Sequence, residues 1–231
     1  MTLSIPDEVL LLLLDDVRGK VLVDGTALNA ALAGAALVEL TLDGAIRLTA
    51  TDEPRAKKGR LVGTGRSARD PRLMALIPRM EGRKPKDAVG RVMSSGFRSP
   101  ATDLRNSLLE DLVARGVLSQ QKGTLLGFIP TTRWPQGHRR DLEDEVLARV
   151  RDVLIDEQPP DPRTGALIAI LSAVDALPKV FPAANKKALV HRGKQISQGD
   201  WAGAAVREAL AAIRAAVMIA TTVAVTAGAT N

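Results

Sequence analysis

Apolar positions in this chain recur mostly at helical spacing, with two places where the spacing shortens and turn residues intervene. Ser4-Ile5-Pro6-Asp7 reads as a helix start, with Ser4 as cap and Pro6 in the first turn. The predicted helix Asp7–Asp16 carries an unbroken apolar run from Val9 to Leu14, so it is expected to be buried on most sides, and Gly19 ends it. Val21-Leu22-Val23 reads as a short strand or extended link, and Ala27–Leu40 as an Ala/Leu helix whose small residues allow close packing. Asp43-Gly44 signals a hairpin between Leu40-Thr41-Leu42 and Ile46-Arg47-Leu48-Thr49, with Arg60-Leu61-Val62 as a third strand. Asp70-Pro71 opens a helix from Arg72 to about Ile77 that Pro78 ends or kinks, and Lys84–Met93 is another. Thr102–Arg115 places Leu104, Leu108, Leu109 and Leu112 on one face and stops at Gly116. Asp141–Glu157, the buried Thr164–Leu177, the basic Lys186–Gln195 and Trp201 to about Val225, capped by Asp200, complete the helices. The segment from Gln158 to Pro162 is a rigid link, too short to argue for two independent domains.

The segment Leu118–Arg140 breaks this pattern. Val117-Leu118 and the run Leu125-Leu126-Gly127-Phe128-Ile129, stopped by Pro130, read as two arms about a turn at Gln121-Lys122-Gly123. Trp134 follows Arg133, and His138, Arg139 and Arg140 make the exit basic. An apolar run with an aromatic among basic residues suits an interaction surface, protein or lipid; a plain core strand is the competing reading. The sequence therefore predicts one mainly α domain with two small β-hairpins.

Composition narrows the partners. Aromatics are 2% of the 231 residues and cysteine is absent, so the core is aliphatic, and disulfide and thiolate chemistry are excluded. The net charge of +6 points to anionic partners. Between Arg55 and Arg91 stand twelve Lys/Arg against three acids (Asp70, Glu81, Asp87), an excess larger than the whole-chain net. That basic stretch reads as a solvated loop or a contact surface, and the small sheet beside a helix pair keeps nucleic-acid binding as a third reading. No signal peptide is expected: Asp7 and Glu8 precede Leu10–Leu14 without a basic leader. The nearest approach to a membrane span is Ala215–Gly228, which is too short, so a soluble cytoplasmic protein with at most peripheral membrane contact is expected.

Candidate chemistry is sparse. The two histidines, His138 and His191, form no metal-ligand pattern, and neither a metal nor a cofactor is expected. Asp141, Glu143, Asp144 and Glu145 cluster at a helix start, where their usual role is to complement the dipole. Gly63-Thr64-Gly65-Arg66-Ser67-Ala68 mimics a dinucleotide loop but lacks its βαβ context. Arg105 has no acid three or four residues away; it is either a solvated or distantly paired arginine, or a guanidinium near the hairpin base that forks onto phosphate. Arg163, opposed by the dipole at a helix N-terminus, is expected to pair with a carboxylate such as Asp161.

Four blocks in register resemble the Golgi phosphoprotein 3 family: Leu3–Leu12 with Asp15-Asp16 and Gly19, Ala31–Leu40, Leu112–Leu118 and Arg163–Leu171. The resemblance covers nearly the full chain. It implies a single compact helical domain over residues 1–231, with a protruding β-hairpin at about Gln121–Thr132, a second small hairpin and no enzymatic activity. Eukaryotic members bind phosphatidylinositol 4-phosphate on Golgi membranes and retain glycosyltransferases, and their apolar hairpin is linked to membrane insertion and self-association. In an ungapped alignment Asp24 stands at the family's pocket tryptophan, Ala33 and Thr102 stand at two basic positions, and Arg105 alone keeps its charge. The fold and hairpin carry over; the headgroup pocket is altered.

The reading is a peripheral protein on anionic lipid, with Arg105 on phosphate and Leu125, Leu126, Phe128, Ile129 and Trp134 as insertion or oligomerisation residues. Arg133, Arg139 and Arg140 would face the membrane. A protein-interaction or homo-oligomerisation module without specific lipid binding is the alternative.

Overall fold

Helices laid across one aliphatic core, with two separate antiparallel ribbons, make up the architecture. The computed structural model describes residues 2–50, 57–93, 99–125, 129–199 and 206–211. The elements are α1 (Ile5–Leu12), α2 (Gly25–Leu42), β1 (Ile46–Leu48), β2 (Leu61–Gly63), α3 (Pro71–Met74), α4 (Ile77–Met80), α5 (Pro85–Met93) and α6 (Pro100–Ala114). They continue with β3 (Gln121–Leu125), β4 (Ile129–Arg133), α7 (Arg140–Leu154), α8 (Pro162–Ala173), α9 (Leu177–Val180) and α10 (Lys186–Gln198). The chain is mainly α, as its periodicity predicts.

Local chemistry sets the helix starts. Ser4 and Asp7 form a reciprocal capping box at α1, with Pro6 in its first turn. Asp24, Asp70, Ser99, Asp161 and Asn185 each cap a later helix with a side-chain oxygen. α2 is long and apolar enough by length and composition to cross a bilayer. It lies instead at the centre, against α1, α5, α6 and α8, and this packing accounts for its near-continuous apolar surface. α8 is buried from Thr164 to Leu171 and packs on α2 and α10.

Three local expectations are corrected. Leu40-Thr41-Leu42 belongs to α2, not to a strand, so the Asp43-Gly44 turn ends a helix and β1 pairs with β2 instead, Ile46 opposite Gly63. Pro78 does not end a helix: it sits in the first turn of α4, where its missing N–H costs nothing. The helix expected to Asp16 ends at Leu12, and of the two readings of Val21–Val23 the extended link holds, with Val21 in an isolated bridge to Leu14. The expected C-terminal helix is described only over 206–211; Asp200, Trp201 and residues beyond 211 lie outside the described residues.

Candidate functional site

The ribbon β3–β4 is built in a register different from the predicted one. Gln121 pairs with Arg133 and the ladder runs to Leu125 opposite Ile129, so Gln121-Lys122-Gly123 is strand rather than turn. Leu125 and Ile129, the first and last residues of the apolar run, therefore face each other at the end of the described ladder rather than lying on one arm. Leu126 and Phe128 lie outside the described residues, as do the side chains of Leu125, Ile129 and Pro130. Pro130 falls inside β4, a place open to proline because each strand of a two-stranded ribbon keeps one free edge. β3 and β4 contact each other far more than any other element, and Gln121 to Thr124 are exposed. Its stem thus stands off the helical body.

The base of the ribbon is tied down. Leu118 bridges to Gln136, the Trp134 amide donates to Gly19 O at 3.0 Å, and the Gln136 amide donates to Asp16 O at 3.1 Å. Gly19 has φ +59, and a Cβ there would meet the backbones of Trp134 and Pro135, so the α1–α2 turn admits only glycine at this contact. Trp134 is half-buried against the core at this base and walls a cavity of about 400 Å³ with Leu109, Val113 and Gln120 of α6 and its exit. The indole is therefore a wall residue near the stem, not a residue of the tip.

Arg105 lies on α6 one turn before Leu109, half-buried, and makes no hydrogen bond or ion pair with any described residue. The other three positions singled out by the family resemblance have structural duties. Asp24 caps α2, accepting from the Thr26 and Ala27 amides at 2.9 Å each, and Ala33 is fully buried in α2. Thr102 bonds Ser99 at the start of α6. Arg133 ends β4 exposed, and Arg140 is exposed at the first position of α7. Arg139 is committed to Asp141 through two bonds of 2.9 and 2.8 Å, which leaves it less available to an outside anion.

Part of the basic excess between Arg55 and Arg91 is likewise spent inside the fold. Arg69 pairs with Asp43 and Glu39, and Arg72 with Asp7 and Asp70. Burial opposes the shift, but the hydrogen bonds and charge of Arg72 hold the Asp70 carboxyl below its usual range. Residues 51–56, Arg55 among them, lie outside the described residues.

Two features escaped sequence reasoning. Arg163 does pair with carboxylates, but not through its neighbour: Asp161 takes the Arg163 amide as helix cap, while the guanidinium spans to Glu8 at 3.3 Å and Glu39 at 3.1 Å. Arg149 reaches the same Glu8 oxygen at 2.8 Å, and Glu39 also accepts from the Ile5 amide at 2.8 Å. Burial pushes the Glu8 carboxyl up, against the pull of Arg163 and Arg149.

The second is Glu143. Rather than merely complementing the α7 dipole, it is buried, accepts from the Gln136 side-chain amide at 3.0 Å and shares a cavity with Asp16. Desolvation and the neighbouring Asp16 charge push its carboxyl up to about 7. Among the described residues no group of three or more His, Asp or Glu is placed to hold a metal ion.

A mainly helical body with a projecting two-stranded ribbon, and with α1, α2, α7 and α8 clasped by buried ion pairs, is the class that fold and site define. Residues 5–213 match the family model described as Golgi phosphoprotein 3, and the chain belongs to that family. The curated proteins gave no match.

Proposed function

We propose that this chain is a non-enzymatic, cytoplasmic protein that attaches peripherally to anionic membrane. The observation that carries the reading is the pairing of a ribbon whose stem stands off the body with a half-exposed Arg105, without a partner among the described residues, on the helix that leads into it. Arg105 contacts a lipid phosphate, of the phosphatidylinositol 4-phosphate kind or a simpler anionic headgroup, and the apolar end of the ribbon enters the interface. Exposed Arg133 and Arg140 add attraction of about 1 kcal/mol per near-surface basic residue. With Asp24, Ala33 and Thr102 engaged in caps and core, recognition rests on charge more than on a shaped headgroup pocket.

Flotation with neutral and anionic liposomes tests this. Binding only to anionic vesicles, lost in Phe128→Asp combined with Arg105→Ala, is the expected result; undiminished binding in that variant would sink the assigned roles.

A second reading has its own observation. Among the described residues both strands of the ribbon keep an unpaired edge, a template for pairing with a second copy. Light scattering separates the two, since a self-associating ribbon yields oligomers without lipid, and Phe128→Asp then yields monomers.

A further inference from the structure

The buried acids of this fold differ in what they face. Asp7, Glu8, Glu39 and Asp70 each lie against at least one arginine, within 2.6 to 3.4 Å of a guanidinium nitrogen. Glu143 is only 4% exposed, and no described cation pairs with it. Its partners are the neutral Gln136 side-chain amide at 3.0 Å and, lining the same cavity from the α1–α2 turn, a second acid, Asp16. It lines a cavity of about 230 Å³ whose other walls include Leu12, Leu22, Leu147 and Val180. The nearby charges do not compensate it. Asp15, in the same cavity, is turned to the Val17 and Arg18 amides, and Asp144 adds like charge from α7. Lys179 of α9 lines the cavity too; its ammonium donates to Leu22 O at 2.8 Å and, among the described residues, forms no ion pair with either acid.

The position of this pair matters as much as its burial. Asp16 O accepts the Gln136 amide at 3.1 Å, and three residues along the same turn Gly19 O accepts the Trp134 amide at 3.0 Å. Gln136 thus grips both acids at once, with its backbone on Asp16 and its side chain on Glu143. Three pieces of chain meet here: the α1–α2 turn, the exit of β4 and the first turns of α7.

We propose that the Asp16–Glu143 carboxyl pair is a proton-operated clasp for the base of the β3–β4 ribbon. With one proton between them, a carboxylic acid donates to a carboxylate and the turn, the ribbon exit and α7 are held together. When that proton passes to solvent, two anions face each other in a partly apolar cavity where, among the described residues, neither is ion-paired, and the turn moves away from α7. The Asp16 and Gly19 carbonyls move with it, and the ribbon loses the two backbone bonds that fix its angle to the body. The titration region is set by burial and the like charge together and falls near neutrality.

Hydrogen exchange of the Trp134 and Gln136 amides, corrected for intrinsic rates, reads the clasp directly. In the full chain, protection of both amides is expected to fall about tenfold between about pH 5.5 and about pH 8.5. Glu143→Gln mimics the protonated acid and is expected to keep protection constant over that range. Asp16→Asn, at an exposed position, does the same and serves if the first variant folds poorly. Constant protection in the wild type, or a decline that persists in both variants, overturns the proposal.

Discussion

At the scale of single residues, the arginines divide by what they touch. Arg163 joins α8 to α1 and α2 by bonding Glu8, Glu39 and Leu3 O. Truncating it leaves two buried carboxylates with reduced compensation, and Arg163→Ala is expected to cost about 3–5 kcal/mol in urea unfolding. Arg105, with no partner among the described residues, should behave oppositely: Arg105→Ala is expected within about 0.5 kcal/mol of the wild type while weakening lipid binding. The sequence disclosed that Arg163 needed a carboxylate, because the dipole at a helix N-terminus opposes a cation. Which carboxylate was not legible, since Glu8 and Glu39 lie 155 and 124 residues away and only folding brings them near.

Among the elements, caps and glycines did the local work and were largely readable. Ser4 with Pro6, Asp70 with Pro71 and Gly116 after α6 mark ends where they are observed, Gly116 adopting φ +71. The Asp24 cap of α2 shows the limit: its spacing to Thr26 and Ala27 is a cap signature, yet it is equally compatible with a loop acid. Asp24→Ala is expected to cost about 1 kcal/mol, seen as a lowered thermal midpoint. Gly19→Ala forces a side chain into the left-handed region and against the Trp134 and Pro135 backbones, at an expected cost of about 2 kcal/mol or more. That substitution should also change Trp134 fluorescence, because the strain falls on the ribbon base.

The ribbon itself was legible as a hairpin but not in register. Glycine at 123 and proline at 130 mimic turn and stop signals, yet pairing Gln121 with Arg133 sets Leu125 opposite Ile129 at the end of the described ladder and leaves a polar stem in solvent.

At the scale of the whole molecule, the opposed carboxyl shifts define a stability profile. The Asp70 and Asp161 carboxyls lie below their ordinary values when folded, so the stability they add is present above about pH 3.8 and is lost as pH falls through their folded values. Glu143 has the opposite sign: its folded carboxyl binds a proton that the unfolded chain has released, so stability falls as pH rises from about 4.5 to about 7. Glu8, also raised, acts in the same direction. Chemical denaturation is therefore expected to show greatest stability on the mildly acidic side, near pH 5 to within about a unit. Glu143→Gln should flatten the decline towards neutral pH and exceed the wild type above about pH 7.

Two further matters divide along the same line. By itself, the chain's aliphatic periodicity, caps and blocks such as Leu3–Leu12 and Arg163–Leu171 determined a mainly helical protein and its kinship to the Golgi phosphoprotein 3 family. These are properties of spacing along the chain, which local hydrogen bonds and one-sided burial express directly. Tertiary structure alone decided that those same blocks supply the acids and the arginine of one buried ion-pair cluster. It likewise set Glu143 against Asp16 beneath the ribbon and left Arg105 without a partner among the described residues. The reason is physical: charge pairing and desolvation depend on distance in space, and no pattern of neighbours in sequence encodes that distance.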